Sequence, residues 1–226
     1  MLRIEDYALI GDCETAGLVG RDGSIDWLCL PRFDSDSCFA KLLGSEDNGF
    51  WRIAPTKQSE IERRYQPETL ILETIFTAQE GRVRITDFMP PKSGHSRIVR
   101  IVEGLEGRVE MRCELAVRFE YGKSIPWVTR LDGAAISMVA GASMLVLGTD
   151  VPLKGKGMRT IGNFTISKGE RKSFVLTYQV SYQAEPGAEG KPRAVIKPNV
   201  PRTLVPILCQ LAQRFMLCVL VENNRN

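Results

Sequence analysis

Residues 108 to 120, "RVEMRCELAVRFE", alternate between two sets of side chains. Val109, Met111, Cys113, Leu115, Val117 and Phe119 form one set; Glu110, Arg112, Glu114, Ala116 and Arg118 form the other. A helix would scatter both sets around its axis, whereas a strand sends each to its own face. Burying six such apolar side chains gains roughly 9–18 kcal/mol. Fixing the eleven backbone residues that carry them costs roughly 11–22 kcal/mol. The segment therefore needs a sheet around it and an apolar layer opposite. The period returns in "KSFVLTYQVSY" (172–182). There Phe174, Leu176, Tyr178, Val180 and Tyr182 face one way, and Ser173, Thr177, Gln179 and Ser181 the other, with Val175 the exception.

Further apolar or alternating runs occupy 16–20, 24–30, 50–54, 70–78, 82–88, 97–104, 127–131, 134–140, 143–148 and 159–167. Turn signals punctuate them at Asp22-Gly23, Asn48-Gly49, Glu80-Gly81, Glu106-Gly107, Asp132-Gly133 and Lys168-Gly169, since glycine tolerates the positive φ of tight hairpins. Many strands on short loops, with no long helical period before residue 200, predict an all-β fold: an antiparallel β-sandwich of two stacked large sheets. No internal repeat is visible.

The stretch "GSIDWLCLPRFDSDSCFAKLLG" (23–44) concentrates a Trp, an Arg, three Asp and two Cys. Residues 16–20 and 24–30 are predicted to form a hairpin. Ile25, Trp27 and Cys29 would share one face, which assigns Trp27 to the core rather than to a ligand platform. Pro31 removes a ladder donor and ends the strand. Asp34 or Ser35 is placed to cap a short helix near 35–43 that Gly44 closes. Arg32 and Phe33 are left on a connector without an evident local duty. Arg32, Phe33 and Asp34 are thus the first candidate site, with Trp27, Tyr121 and Trp127 as weaker aromatic candidates.

The chain has 226 residues, 43% of them apolar and 25% charged, enough for a core without disulfide or metal support. Residues 1–186 are nearly neutral, while residues 187–226 carry six Lys or Arg against two Glu. A nucleic-acid partner is not expected, since it would call for a basic face on the folded body. The first residues, "MLRIEDYALIGD", lack the apolar core of a secretory signal. A cytoplasmic location with reduced thiols is the expectation. The six cysteines show no zinc spacing, and the single histidine, His95, rules out two-His metal sites. No cofactor is expected. "GKGMRTIG" (155–162) lacks GxGxxG spacing and reads as a flexible turn.

The segment 5–44, "EDYALIGDCETAGLVGRDGSIDWLCLPRFDSDSCFAKLLG", resembles the N-terminal segment of bacterial trehalases and glucoamylase-like enzymes of glycoside hydrolase family 15. The likeness continues through "RRYQPETLILETIF" (63–76), "GRVRITDFMP" (81–90), "IVRIVEGLEGRVEMRCELAVRFEYGKSIPWV" (98–128) and "RKSFVLTYQVSY" (171–182). The resemblance implies a β-sandwich that precedes an (α/α)-barrel. In such enzymes the barrel carries the general acid and base that invert an α-glucosidic bond across a bound water. The family-like part here is sandwich alone, so no catalytic residue is assigned. The closest carboxylate pairs, Glu60 with Glu62 and Asp34 with Asp36, sit among charged or capping residues. The implied partner is the catalytic barrel, with trehalose or an α-glucan as a possible ligand. A surface bared by the barrel's absence would favour self-association.

The predicted organisation is therefore a trehalase-like sandwich over 1–186 and an atypical tail over 187–226. In that tail Pro192, Pro198, Pro201 and Pro206 form a linker before an apolar helix, "ILCQLAQRFMLCVLV" (207–221). The helix falls short of the ~20 apolar residues that span a bilayer, and Arg214 at its centre argues against a membrane span. Three functional readings follow: a non-catalytic accessory domain of a family 15 hydrolase, a free-standing carbohydrate-binding module, or the inert product of a truncated gene.

Overall fold

The computed structural model describes residues 2–92, 94–131 and 135–183. The linker and apolar helix expected within 187–226 lie outside the described residues. Fifteen antiparallel strands occur among the described residues. They are β1 (Tyr7–Gly11), β2 (Ala16–Gly20), β3 (Ser24–Cys29), β4 (Ser37–Phe39) and β5 (Phe50–Pro55). Next come β6 (Glu60–Tyr65), β7 (Leu72–Ala78), β8 (Gly81–Phe88), β9 (Arg97–Ala116) and β10 (Trp127–Arg130). The series ends with β11 (Ile136–Ala140), β12 (Ser143–Thr149), β13 (Lys154–Lys156), β14 (Arg159–Ser167) and β15 (Arg171–Val180).

One sheet runs β1-β2-β3-β5-β9-β14-β13, with β4 also paired to β3. The other runs β6-β7-β8-β9-β15-β12-β11-β10. The 20-residue β9 belongs to both. Its first half lies between β8 and β15, and its second half between β5 and β14.

The apolar set of 108–120 is buried as predicted, and the outward set holds through Glu114, while Ala116 and Arg118 are buried as well. Val109, Met111, Cys113, Leu115, Val117 and Phe119 are buried in the layer between the sheets. That layer joins Ile25, Trp51 and Ile53 of the first sheet to Phe76, Val102 and Phe174 of the second. The rings of Phe164 and Phe174 meet across it at 5.7 Å. At its centre lies Arg100, fully buried. Its guanidinium holds Asp87 through two bonds (2.8 and 3.1 Å) and donates to Trp51 O and Gly23 O, each at 2.8 Å. Asp87 belongs to β8 and Trp51 to β5, so this one side chain ties the two sheets together.

Three expectations are corrected. Glu106-Gly107 does not end a strand; β9 continues through it, with Gly107 at φ 63° paired to Gly81 and the register shift of the ladder to β8 falling between Glu106 and Gly104. No helix of several turns covers 35–43. Ser37, Cys38 and Phe39 are buried and extend along β3, and only one 3-10 turn (Lys41–Leu43) remains, closed by Gly44. Burial of those three residues in a ladder outweighs the capping signal at Asp34 and Ser35. "GKGMRTIG" is a hairpin: Lys154–Lys156 pairs with Arg159–Ser167 around Gly157 and Met158, at φ 58° and 59°.

Candidate functional site

The connector from β3 to β4 carries the first candidate residues. Its main chain is anchored on both flanks. Phe33 N–H donates to Glu14 O (3.0 Å) in the β1–β2 turn, and the Ser96 hydroxyl donates to Pro31 O (3.3 Å). Arg32 does have a local duty: Nε donates to Asp34 Oδ1 (3.0 Å) and a terminal nitrogen to Oδ2 (3.3 Å). Both side chains stay more than half exposed, so the pair is screened and shapes the loop more than it stabilises the fold. Phe33 is 72% exposed, an apolar ring held out by a fixed backbone. The structure therefore brings Arg32 and Asp34 together and leaves Phe33 as the free apolar feature.

The aromatic candidates divide. Trp27 is not in the core; it is half-buried, and its ring meets Tyr121 at 6.2 Å. A bulge opposite Leu18 and Val19 shifts the phase of β3, so that Ile25 and Leu28, three residues apart, both enter the core. Tyr121 sits at φ 58° in a 3-10 turn and accepts a bond from Asn48 at its carbonyl. Trp127 stands apart, 86% exposed on β10, with no ring contact among the described residues.

Near β10 the two sheets diverge and leave a cleft of about 350 Å³. Leu115, Ile136, Met138 and Leu153 form its apolar floor. Arg118, Arg130, Lys154, Lys156 and Arg159 line its walls, and no carboxylate does among the described residues. Arg159 is paired with Glu46 (2.8 Å) and Glu114 (2.9 Å). Arg118 is buried, and among the described residues its side chain donates only to carbonyls, of Val117 (2.8 Å) and Met158 (3.2 Å). Burial, then nearby Arg159, pulls its pKa below the usual guanidinium value. The alternation placed Arg118 on the outward face with Arg112. The strand ends at Ala116, and the chain then turns the side chain inward. No residue pattern announces that turn.

Each buried carboxylate among the described residues has a structural partner, although Asp12 is held through Oδ1 alone and its Oδ2 is buried without one. Asp12 accepts from Glu14 N–H and Thr15 N–H, and Asp26 from Tyr7 and Ser24 while facing Lys41. Glu73 meets Arg64 and Arg84, and Asp87 meets Arg100. Glu60 and Glu62 point to solvent from β6, and Asp36 is exposed. The described cysteines are thiols: Cys13 is exposed, while Cys29, Cys38 and Cys113 are buried. Burial pushes Cys113 up to about 11. No group of three or more His, Cys, Asp or Glu fit to hold a metal occurs among the described residues. No described helix is long and apolar enough to cross a membrane.

Among characterised proteins, the chain is 26% identical over 188 residues to a trehalase of Thermoplasma volcanium, covering 80% of this chain and 30% of that protein. It is 34% identical over 155 residues to trehalase 1 of Sulfolobus acidocaldarius, covering 67% of this chain and 26% of that one. The chain thus spans about 30% or less of the length of these relatives. A solved bacterial glucoamylase complexed with acarbose matches 74% of this chain and 30% of its own, at 12% identity and a TM-score of 0.49. The model of the trehalase-like N-terminal family matches residues 1–179, nearly the whole described sandwich, and the chain belongs to that family.

Proposed function

We propose that this chain is the non-catalytic accessory sandwich of a family 15 α-glucoside hydrolase of the trehalase or glucoamylase type. Its partner is the helical barrel of such an enzyme, and its work is to hold that barrel rather than to cut the sugar. The commitment of the buried carboxylates carries this reading: each of Asp12, Asp26, Glu73 and Asp87 is bound by fold-building donors. Inverting hydrolysis needs two carboxyl groups roughly 6.5–9.5 Å apart across a sugar, and the one large cleft described offers none. The sandwich over 1–186 is the functional unit, with 187–226 an appendage to it. The four described thiols fit a reducing cytoplasm.

The Arg32-Phe33-Asp34 loop is the proposed barrel-facing element, with exposed Phe33 as its anchor. The purified chain is expected to release no glucose from trehalose, maltose or soluble starch. Turnover that a single carboxylate substitution abolishes would end the reading. Mixed with a separately expressed family 15 barrel, the chain should bind, and Phe33→Ala should weaken binding about tenfold, or about 1.4 kcal/mol. Arg32→Ala should weaken it less, because its partner is Asp34. The exposure of Trp127 favours one further reading, a sugar-binding module. Calorimetric titration with maltooligosaccharides and trehalose tests it, and silence at millimolar sugar removes it.

A further inference from the structure

Among the described residues, β10 pairs only with β11 and β13 only with β14, so each leaves a free edge beside the cleft. The two edges differ in chemistry. β13 is Lys-Gly-Lys with both lysines exposed, a composition that resists further pairing. β10 is Trp-Val-Thr-Arg, exposed throughout, with no charge before its last residue. The bond from Leu131 N–H to Ala135 O (2.9 Å) sets the phase of its ladder. Bonded pairs then recur at Thr129/Ser137 and Trp127/Val139, and the main-chain groups of Val128 and Arg130 face outward. The side chains of those same two residues line the cleft.

We propose that β10 accepts an extended acidic strand from another polypeptide, whose alternate side chains enter the cleft. Apolar residues would cover Leu115, Ile136, Met138 and Leu153, and carboxylates would meet Arg118, Lys154 and Lys156. Charge selects this occupant. Arg118, Arg130, Lys154 and Lys156 form no ion pair among the described residues. Arg118 is only 7% exposed and has no ion-pair partner among the described residues, the exposed Asp47 acting on it only from a distance, and a buried cation so placed is costly. A second copy docked symmetrically through the same edge would bring the same cations face to face. The chain's own residues 187–226 carry six cations against two carboxylates.

The experiment titrates the full chain by calorimetry with two blocked seven-residue peptides, Val-Ser-Glu-Ser-Val-Ser-Glu and Val-Ser-Lys-Ser-Val-Ser-Lys, each of which puts valine and the charged residue on one face of a strand. The Val-Glu peptide should bind saturably and the Val-Lys peptide should not. About 0.5 M salt should weaken binding by about tenfold. Lys154→Glu with Lys156→Glu, both exposed, should keep the thermal transition and reverse the preference. Val128→Pro, which removes an outward N–H at a position where an edge strand tolerates proline, should weaken binding about tenfold. The proposal is overturned if neither peptide saturates at millimolar concentration, if both bind alike, or if either variant binds as the parent does. It is equally overturned if free glutamate competes as well as the peptide, which would make the cleft a small-anion site.

Discussion

Arg100 sits on the inward set of β9, between Ile98 and Val102, where the period-2 pattern expects an apolar residue. Its burial is tolerable because Asp87 neutralises it and two carbonyls take further donors. Asp87→Ala should therefore cost about 3–5 kcal/mol, read as a fall in the urea midpoint. Replacing the pair together, Asp87→Leu with Arg100→Leu, should recover only part of that. Trp51 O would lose the Arg100 donor, at about 1–3 kcal/mol, while Gly23 O would lose one donor and keep Ile53 N–H (3.1 Å). Full recovery would show that the carbonyl bonds contribute nothing. A second test lies in Cys113. Burial raises its pKa from 9.0 to about 11 in the folded chain. The folded state then holds a proton that the unfolded state releases, so the stability contribution is complete below about pH 9 and lost as pH rises towards 11. Urea midpoints should fall across that window, and Cys113→Ala should flatten its share of the fall. The alkaline window was open to inference from a buried cysteine on an apolar face. The Arg100 clamp was not, because its partners lie 13, 49 and 77 residues away in the chain.

At the scale of elements, alternation predicts most strands closely, because a half-buried strand writes its two faces into the sequence. The failures share one cause: local signals were overruled by packing. Glu106-Gly107 has turn chemistry, yet the chain runs straight on because both flanking halves of β9 are held by ladders on either side. Counting in twos assigns Trp27 to the core, and one bulge cancels the count. The 37–39 strand is too short to show a period at all. The point where β9 passes from one sheet to the other depends on missing side chains. A Cβ on Gly104 would lie 2.1 Å from Ser167 O, a backbone atom that cannot step aside. Gly104→Ala should thus destabilise by about 1–3 kcal/mol, comparable to overpacking a core, and lower the melting temperature. Ser143→Ala, near the start of β12 and half-exposed, serves as a control expected to change stability by about 0.5 kcal/mol or less. Equal effects of the two substitutions would remove the crossing point from the account.

At the scale of the molecule, sharing β9 makes the two sheets one cooperative object. Two sheets with separate strands could open independently; here neither can lose its central strand without disrupting the other. The Arg100 clamp and the single apolar layer spanning both sheets act in the same direction. The free edges are the weak places, since β10 is exposed along its whole length and is paired on one side only. Native-state hydrogen exchange should reflect this division. Bonded amides in the first and second halves of β9 should exchange only through global unfolding, with free energies equal to within about 1 kcal/mol, and amides of β10 should open at a much lower cost. A gap of more than about 2 kcal/mol between the two halves of β9 would mean that the sheets unfold separately, and the shared strand would then be a contact between two units rather than the spine of one.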